Sequence, residues 1–205
     1  AWLALPLGFT MMLNSLYTNI PRYFIEHYLG ERELGIFAAI AYLIVGGSTV
    51  ANALGQSIRP RLAKYYAVGN GTAFHTLLLK LVGIGILLGT VGVLVALLAG
   101  REILILLYRP EYASQASVLI WLMVAAGIGY VGSSLGNGIL ATRAFSRYII
   151  PHLVAIVGIT GFSALLVPAY GLVGAAWALC AVSLLGLIAI IVTLKTIKRQ
   201  ETALS

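Results

Sequence analysis

Residues 77–99 read LLLKLVGIGILLGTVGVLVALLA, an apolar block in which Lys80 is the one charge. Crossing a hydrocarbon layer of about 30 Å takes roughly 20 residues at about 1.5 Å each, so this block is long enough to span a membrane as a helix. In lipid the backbone must satisfy its own polar groups. A helix does so within one segment, whereas barrel strands would show about ten-residue alternation that is absent here. Working outward, five more blocks have a comparable length: 1–20, 34–57, 115–141, 148–168 and 171–194. The expected fold is therefore all-α, an integral membrane six-helix bundle forming a single transmembrane lobe over residues 1–205.

Composition agrees. The chain is 60% hydrophobic and 9% charged, with mean hydropathy +1.00, against about 25% charged for ordinary soluble domains. A formal charge of +7 invites nucleic acid as a partner. The basic residues are scattered through the gaps between blocks, however, and form no dense patch, so no nucleic-acid partner is expected. They act as orientation signals instead. Arg59, Arg61, Lys64, Arg143, Arg147, Lys195, Lys198 and Arg199 fall on one side of the alternating spans, and only Arg22, Arg32, Arg101 and Arg109 on the other. Positive residues are retained in the cytoplasm, so both ends are predicted to be cytoplasmic. Lys80, one turn into its span, can snorkel to that surface. Cys180 is the sole cysteine and lies within an apolar block, where packing explains it. The sequence opens at Ala1 already inside an apolar stretch and is expected to be a fragment of something longer.

The gaps carry local signals. The run 102–108 is too short to span and either lies at the outer interface or extends the preceding helix, until Pro110 ends it. Arg61 to Val68 is expected to form a short basic, Tyr-rich helix against anionic headgroups, closed by Gly69, Asn70 and Gly71.

The first span has an unusual polar stripe. Asn14, Ser15, Thr18, Asn19, Arg22 and Glu26 recur every three or four residues and so share a helix face. The second repeats the pattern with Ser48, Thr49, Asn52 and Gln56, ending at Arg59; the fourth offers a weaker version in Tyr130, Ser133, Ser134 and Asn137. Any single Ser, Thr or Asn is adequately explained as a hydrogen bond between helices. Two successive stripes exceed what such bonding needs, and the first two spans are expected to line a common polar cavity. Arg22 and Glu26, spaced i, i+4, either pair with each other or leave the Arg22 guanidinium to meet an anionic group such as a phosphate. Gly85/Gly89 and Gly132/Gly136 have the small-xxx-small spacing that lets helices approach closely. His27, His75 and His152 show no metal-ligand spacing and no partnered nucleophile, so neither a metal, nor a cofactor, nor enzyme chemistry is expected.

Certain strings are familiar: Leu5-Pro6-Leu7-Gly8, Asn19-Ile20-Pro21-Arg22-Tyr23, Tyr28-Leu29-Gly30-Glu31-Arg32-Glu33-Leu34-Gly35-Ile36-Phe37 and Arg59-Pro60-Arg61-Leu62-Ala63. They resemble bacterial polysaccharide biosynthesis membrane proteins of the lipid-linked oligosaccharide flippase type. Pro168-Ala169-Tyr170-Gly171-Leu172-Val173-Gly174-Ala175-Ala176 looks like the hairpin joining the last two helices of the twelve-helix core in that superfamily, which also includes multidrug exporters. The resemblance covers essentially the whole chain. It implies two six-helix lobes around a central cavity, with this chain as the C-terminal lobe and a missing N-terminal lobe as its partner. It further implies a location in the bacterial inner membrane and a lipid-linked oligosaccharide as substrate, with polysaccharide assembly proteins as possible further partners. Under it, Asn14, Ser15, Thr18, Asn19, Arg22, Glu26, Ser48, Thr49, Asn52, Gln56, Arg59 and Asn137 are the expected substrate-cavity residues. Two rivals stand beside it. A cation-coupled multidrug exporter should place an acid at mid-membrane, and a non-transporting membrane scaffold for glycan assembly would dimerise through its glycine faces.

Overall fold

The computed structural model describes residues 5–108, 110–142 and 145–204. The described chain is all-helical: α1 (Leu5–Leu29), α2 (Glu31–Ala67), α3 (Gly71–Leu107), a 3-10 helix (Pro110–Gln115), α4 (Ala116–Ala141) and α5 (Phe145–Leu204). By length and composition, four described segments are able to cross a membrane: Glu31–Ala67, Gly71–Leu107, Pro110–Ala141 and Ile150–Thr196.

The last of these is not one straight rod. At Gly171 the backbone takes φ 60° and ψ −138°, outside the helical region, and the chain folds back there. Gly174 comes against the carbonyl of Leu166, and Gly158 against Val182. Both pairs are centred on residue 170, as the arms of an antiparallel hairpin require. Ile159, Ala178 and Val182 form a small core between the arms. This dihedral pair is open essentially to glycine alone. Gly171→Ala is therefore expected to lower stability by about 1–3 kcal/mol, read as a drop of several degrees in thermal unfolding midpoint in detergent.

The other turns are short for equally local reasons. Gly30, at φ 92°, is the sole residue between α1 and α2. Gly69, at φ 71°, closes α2, and the Asn70 side chain accepts from Ala73 N at 3.0 Å to cap α3. Such links make neighbouring helices antiparallel, and the chain's ends sort accordingly. One end of the bundle, here the turn-1 end, gathers Leu29, Gly171 and the exposed Arg32–Glu111 ion pair at 3.5 Å. The other, the turn-2 end, gathers the α2–α3 turn, the end of α4 and the later part of α5.

α4 is the hub, packing on α2, α3 and α5, while α1 closes the far side against α5 and α2. The main core sits toward the turn-1 end and includes Ile25, Phe37, Ile40, Leu104, Leu119 and Val167. Gly89 and Gly127 bring α3 and α4 together so tightly that a Cβ built on Gly89 would stand 2.6 Å from the Gly127 Cα. Of the expected glycine pairs, Gly85 and Gly89 do face α4, whereas Gly132 meets the Ile190 side chain of α5.

Element boundaries differ from the sequence expectation in one consistent way. Helices run past the apolar blocks: 34–57 becomes Glu31–Ala67, 77–99 becomes Gly71–Leu107, and 1–20 extends to Leu29 straight through Pro21. Hydropathy marks where lipid ends, but helical hydrogen bonding continues into the interface until a cap or a left-handed glycine stops it. Hence Arg61 to Val68 is not a separate surface helix. Its helical part simply finishes α2, which passes through Pro60 and ends at Ala67. The run 102–108 likewise extends α3 as far as Leu107.

Candidate polar cavity

A cavity of about 540 Å³ opens between α1, α2, α4 and both arms of α5. Its polar walls are Tyr17 from α1, Asn52 and Arg59 from α2, Ser133 from α4, and His152 and Ser183 from α5. No described carboxylate lines it.

The organising contact is between α2 and α4. Arg59 donates from Nε at 3.0 Å and from Nη2 at 2.8 Å to Oδ1 of the buried Asn137. The Asn137 amide donates back to the carbonyl of Ser133 at 2.9 Å, and Ser133 Oγ donates to Asn52 Oδ1 at 3.4 Å. Asn137 thus joins a cation to its own helix backbone. A buried amide must find partners on both its oxygen and its nitrogen, and here it finds them. Two guanidinium N–H groups go to one acceptor, which fixes the plane of the fork and leaves Arg59 standing in the cavity wall.

This geometry needs close backbones. Gly55 of α2 lies directly against the Asn137 side chain, and Gly47, two turns away, against the Tyr130 hydroxyl. Tyr130 Oη donates to the Ile44 carbonyl at 3.4 Å, and Ser134 Oγ to the carbonyls of Leu81 and Tyr130 at 3.3 and 2.8 Å. The polar face of α4 therefore bonds helices together while also supplying one wall of the cavity. On the opposite wall, Tyr17 Oη and Ser183 Oγ lie 3.4 Å apart across α1 and α5.

The polar stripes are placed less uniformly. Of the described members on α1 and α2, only Asn52 and Arg59 line this cavity, joined by Ser133 of α4. Ser15, Thr18, Arg22 and Glu26 lie on the exposed face of α1, with Asn19 half-buried at its edge; Thr49, Asn52 and Gln56 lie on the exposed face of α2, with Ser48 half-buried. The buried face of α1 is instead Leu13, Pro21 and Ile25. Several hydroxyls turn back onto their own helix: Thr18 Oγ1 donates to the Ser15 carbonyl at 3.0 Å, and Ser48 and Thr49 to that of Val45 at 2.9 and 2.8 Å. Asn19 donates to Ser15 O at 2.9 Å. Of the two alternatives for Arg22, the ion pair with Glu26 is not formed, the one described ion pair being Arg32–Glu111. Both side chains are exposed and free to take separate rotamers, which removes the gain from pairing. The Asn14 side chain lies outside the described residues.

Sequence reasoning missed Gly47, Gly55, Tyr17 and Ser183. Gly47 and Gly55 had a signal, since they sit among the polar residues of α2 with helical spacing. Tyr17 and Ser183 had none, being 166 residues apart. Among the described residues no group of three or more His, Cys, Asp or Glu side chains could hold a metal.

Comparison with known proteins adds the family. The capsular polysaccharide biosynthesis protein CapF of Staphylococcus aureus is 38% identical over 174 residues, covering 85% of this chain and 44% of that protein. The chain thus spans less than half the length of this curated relative. No solved structure matches. The MatE profile matches residues 6–169, which is most of the chain and includes the α2–α4 contact that holds Arg59; the chain belongs to the MatE family.

Proposed function

We propose that this chain is one lobe, the C-terminal half, of a flippase that carries a lipid-linked oligosaccharide across a bacterial inner membrane for surface polysaccharide synthesis. A transporter rather than an enzyme fits the MatE family, and the glycan fits the capsular polysaccharide relative. In this reading the chain crosses the membrane six times, with α5 supplying two spans, and both its ends are cytoplasmic. The single observation that carries the mechanism is the Arg59–Asn137 pair in a cavity lined by no described carboxylate. A guanidinium held in one plane is suited to the charged phosphate of a glycan lipid.

The exposed stripes of α1 and α2 find their use opposite a second lobe. Asn14, Ser15, Thr18, Asn19, Ser48, Thr49, Asn52 and Gln56 offer hydrogen bonds to sugar hydroxyls, and Arg22 and Glu26 stand at the outer mouth. Polar side chains are costly against acyl chains and are retained where water or substrate meets them. Alternating access between the two lobes then exposes the same surface to each side in turn. The exporter alternative lacks its coupling acid here: described carboxylates cluster at Glu26, Glu31, Glu33, Glu102 and Glu111, toward the turn-1 end.

The test is reconstitution of the full-length protein in vesicles with a fluorescent polyprenyl-pyrophosphate oligosaccharide. Movement of the label to the opposite leaflet is expected. Transport of cationic drugs without any movement of the glycan lipid would remove the proposal.

A further inference from the structure

A larger cavity lies elsewhere. About 910 Å³ opens at the turn-2 end, between the α2–α3 turn, the last turns of α4 and the later part of α5. Nothing in the proposed transport path uses it, and its walls are graded along the helix axes. At the bundle end stand the turn glycines Gly69 and Gly71, the Thr142 hydroxyl and Lys195. Two turns inward from the start of α3 the walls become Leu78 and Leu79, joined by Leu135 and, one turn inward from Lys195, Ile191. Leu79 is 68% exposed and Ile191 38%, so the apolar part of the cavity is open on its flank, where bilayer surrounds the bundle.

Carboxylates separate the two ends as sharply. Among the described side chains the turn-2 end carries Arg59, Arg61, Lys64, Lys80 and Lys195 and no carboxylate. Glu26, Glu31, Glu33, Glu102 and Glu111 all belong to the other end. An occupant that enters from the side, places hydrocarbon on leucines and leaves its head beside a lysine, with no described acid near it, is an anionic, two-part molecule. Lysine stems favour this arrangement, since the methylenes lie on apolar surface while the ammonium stays at headgroup level. A neutral apolar ligand would leave the Lys195 end without complement, and a free anion would leave the leucines wet.

We propose that this cavity is a binding site for one anionic phospholipid of the adjacent leaflet, its acyl chain on Leu78, Leu79, Leu135 and Ile191 and its phosphate at Lys195. The site is separate from the Arg59 cavity and does not depend on the transported substrate. Occupied, it ties α3 to the later part of α5 at the turn-2 end.

The test uses the full-length protein purified in a neutral detergent, with lipid binding read by native mass spectrometry. Dioleoylphosphatidylglycerol is expected to bind about five-fold more tightly than dioleoylphosphatidylcholine, the worth of roughly one lysine near an anionic surface. Lys195→Ala should bring the two lipids to parity. Lys80→Ala, which removes an exposed cation of the same end outside the cavity, should leave the preference unchanged. A phosphatidylglycerol with a diazirine in its acyl chain should label α3 around Leu78 and α5 around Ile191. Equal affinity for the two lipids, equal losses in the two lysine variants, labelling confined to other helices, or displacement of phosphatidylglycerol by an equimolar polyprenyl phosphate would each overturn the assignment. Thermal unfolding of both variants in detergent separates a lost site from a lost fold, because both substituted side chains are exposed.

Discussion

Arg59→Ala in the full-length protein is expected to lower glycan-lipid movement by at least about ten-fold while leaving the protein in the membrane. The loss has two sources. Removing the guanidinium strips Asn137 Oδ1 of both its N–H donors; a hydrogen bond to a charged group is worth about 1.5–3 kcal/mol, and an acceptor left buried without a partner carries its desolvation cost. It also removes the one described arginine from the cavity wall. Arg59→Lys separates the two. A lysine keeps the charge, but its ammonium does not reproduce the planar fork that places two N–H groups on one oxygen, so partial activity is expected, between wild type and alanine. Asn137→Ala supplies the third corner. If Asn137 acts by holding Arg59, the double variant Arg59→Ala/Asn137→Ala loses no more than Arg59→Ala alone. Additive losses would mean that Asn137 meets the substrate itself, and normal transport by Arg59→Ala would take the cavity out of the mechanism.

That cavity shows where sequence reasoning reaches its limit. Apolar length is a property of one segment, so the helical, membrane-spanning character of residues 77–99 was legible at once. The fold-back near residue 170 was legible as the gap between the blocks 148–168 and 171–194, but its dependence on the left-handed backbone of Gly171 was not. Helix ends were not, since the signal that stops α2 is the left-handed Gly69 rather than the edge of the apolar block at 57. Faces were legible as periodicity, partners were not. The α1 stripe reads from its spacing as a cavity wall, yet the described polar residue that α1 turns to this cavity is Tyr17, which lies between Ser15 and Thr18 in the chain and off their face. Arg59 and Asn137 stand 78 residues apart, and Asn137 sits in the weakest of the three polar patterns. Its importance comes from Gly55, which lets two backbones close until the amide meets the guanidinium, and no one-dimensional spacing carries that information.

Gly89→Leu is expected to destabilise the bundle more than any other glycine substitution on α3. Even the first carbon of a side chain has nowhere to go: on Gly89 it would stand 2.6 Å from the Gly127 Cα, and on Gly127 it would stand 3.0 Å from the Gly89 Cα. The obstacle is backbone on both sides, so no rotamer change relieves it and the helices must separate. Lipid offers no hydrophobic driving force to hold them together, and close van der Waals packing is most of what does. Separation would loosen the α3–α4 contact along its length, including Gly85 beside the Tyr130 backbone and the Ser134 bond to the Leu81 carbonyl. Overpacking of this kind costs about 1–3 kcal/mol or more, and at about 2–4 °C per kcal/mol for a chain of this size the thermal midpoint in detergent should fall by roughly 2–12 °C. Gly83→Leu is the control on the same helix, because nothing lies within 4 Å of a Cβ at that position. A midpoint for Gly89→Leu within a degree of the Gly83→Leu value would show that α3 and α4 are not held by this contact. A large drop confined to position 89 places the crossing at Gly89 and Gly127, on the helix whose other face holds Asn137 against Arg59.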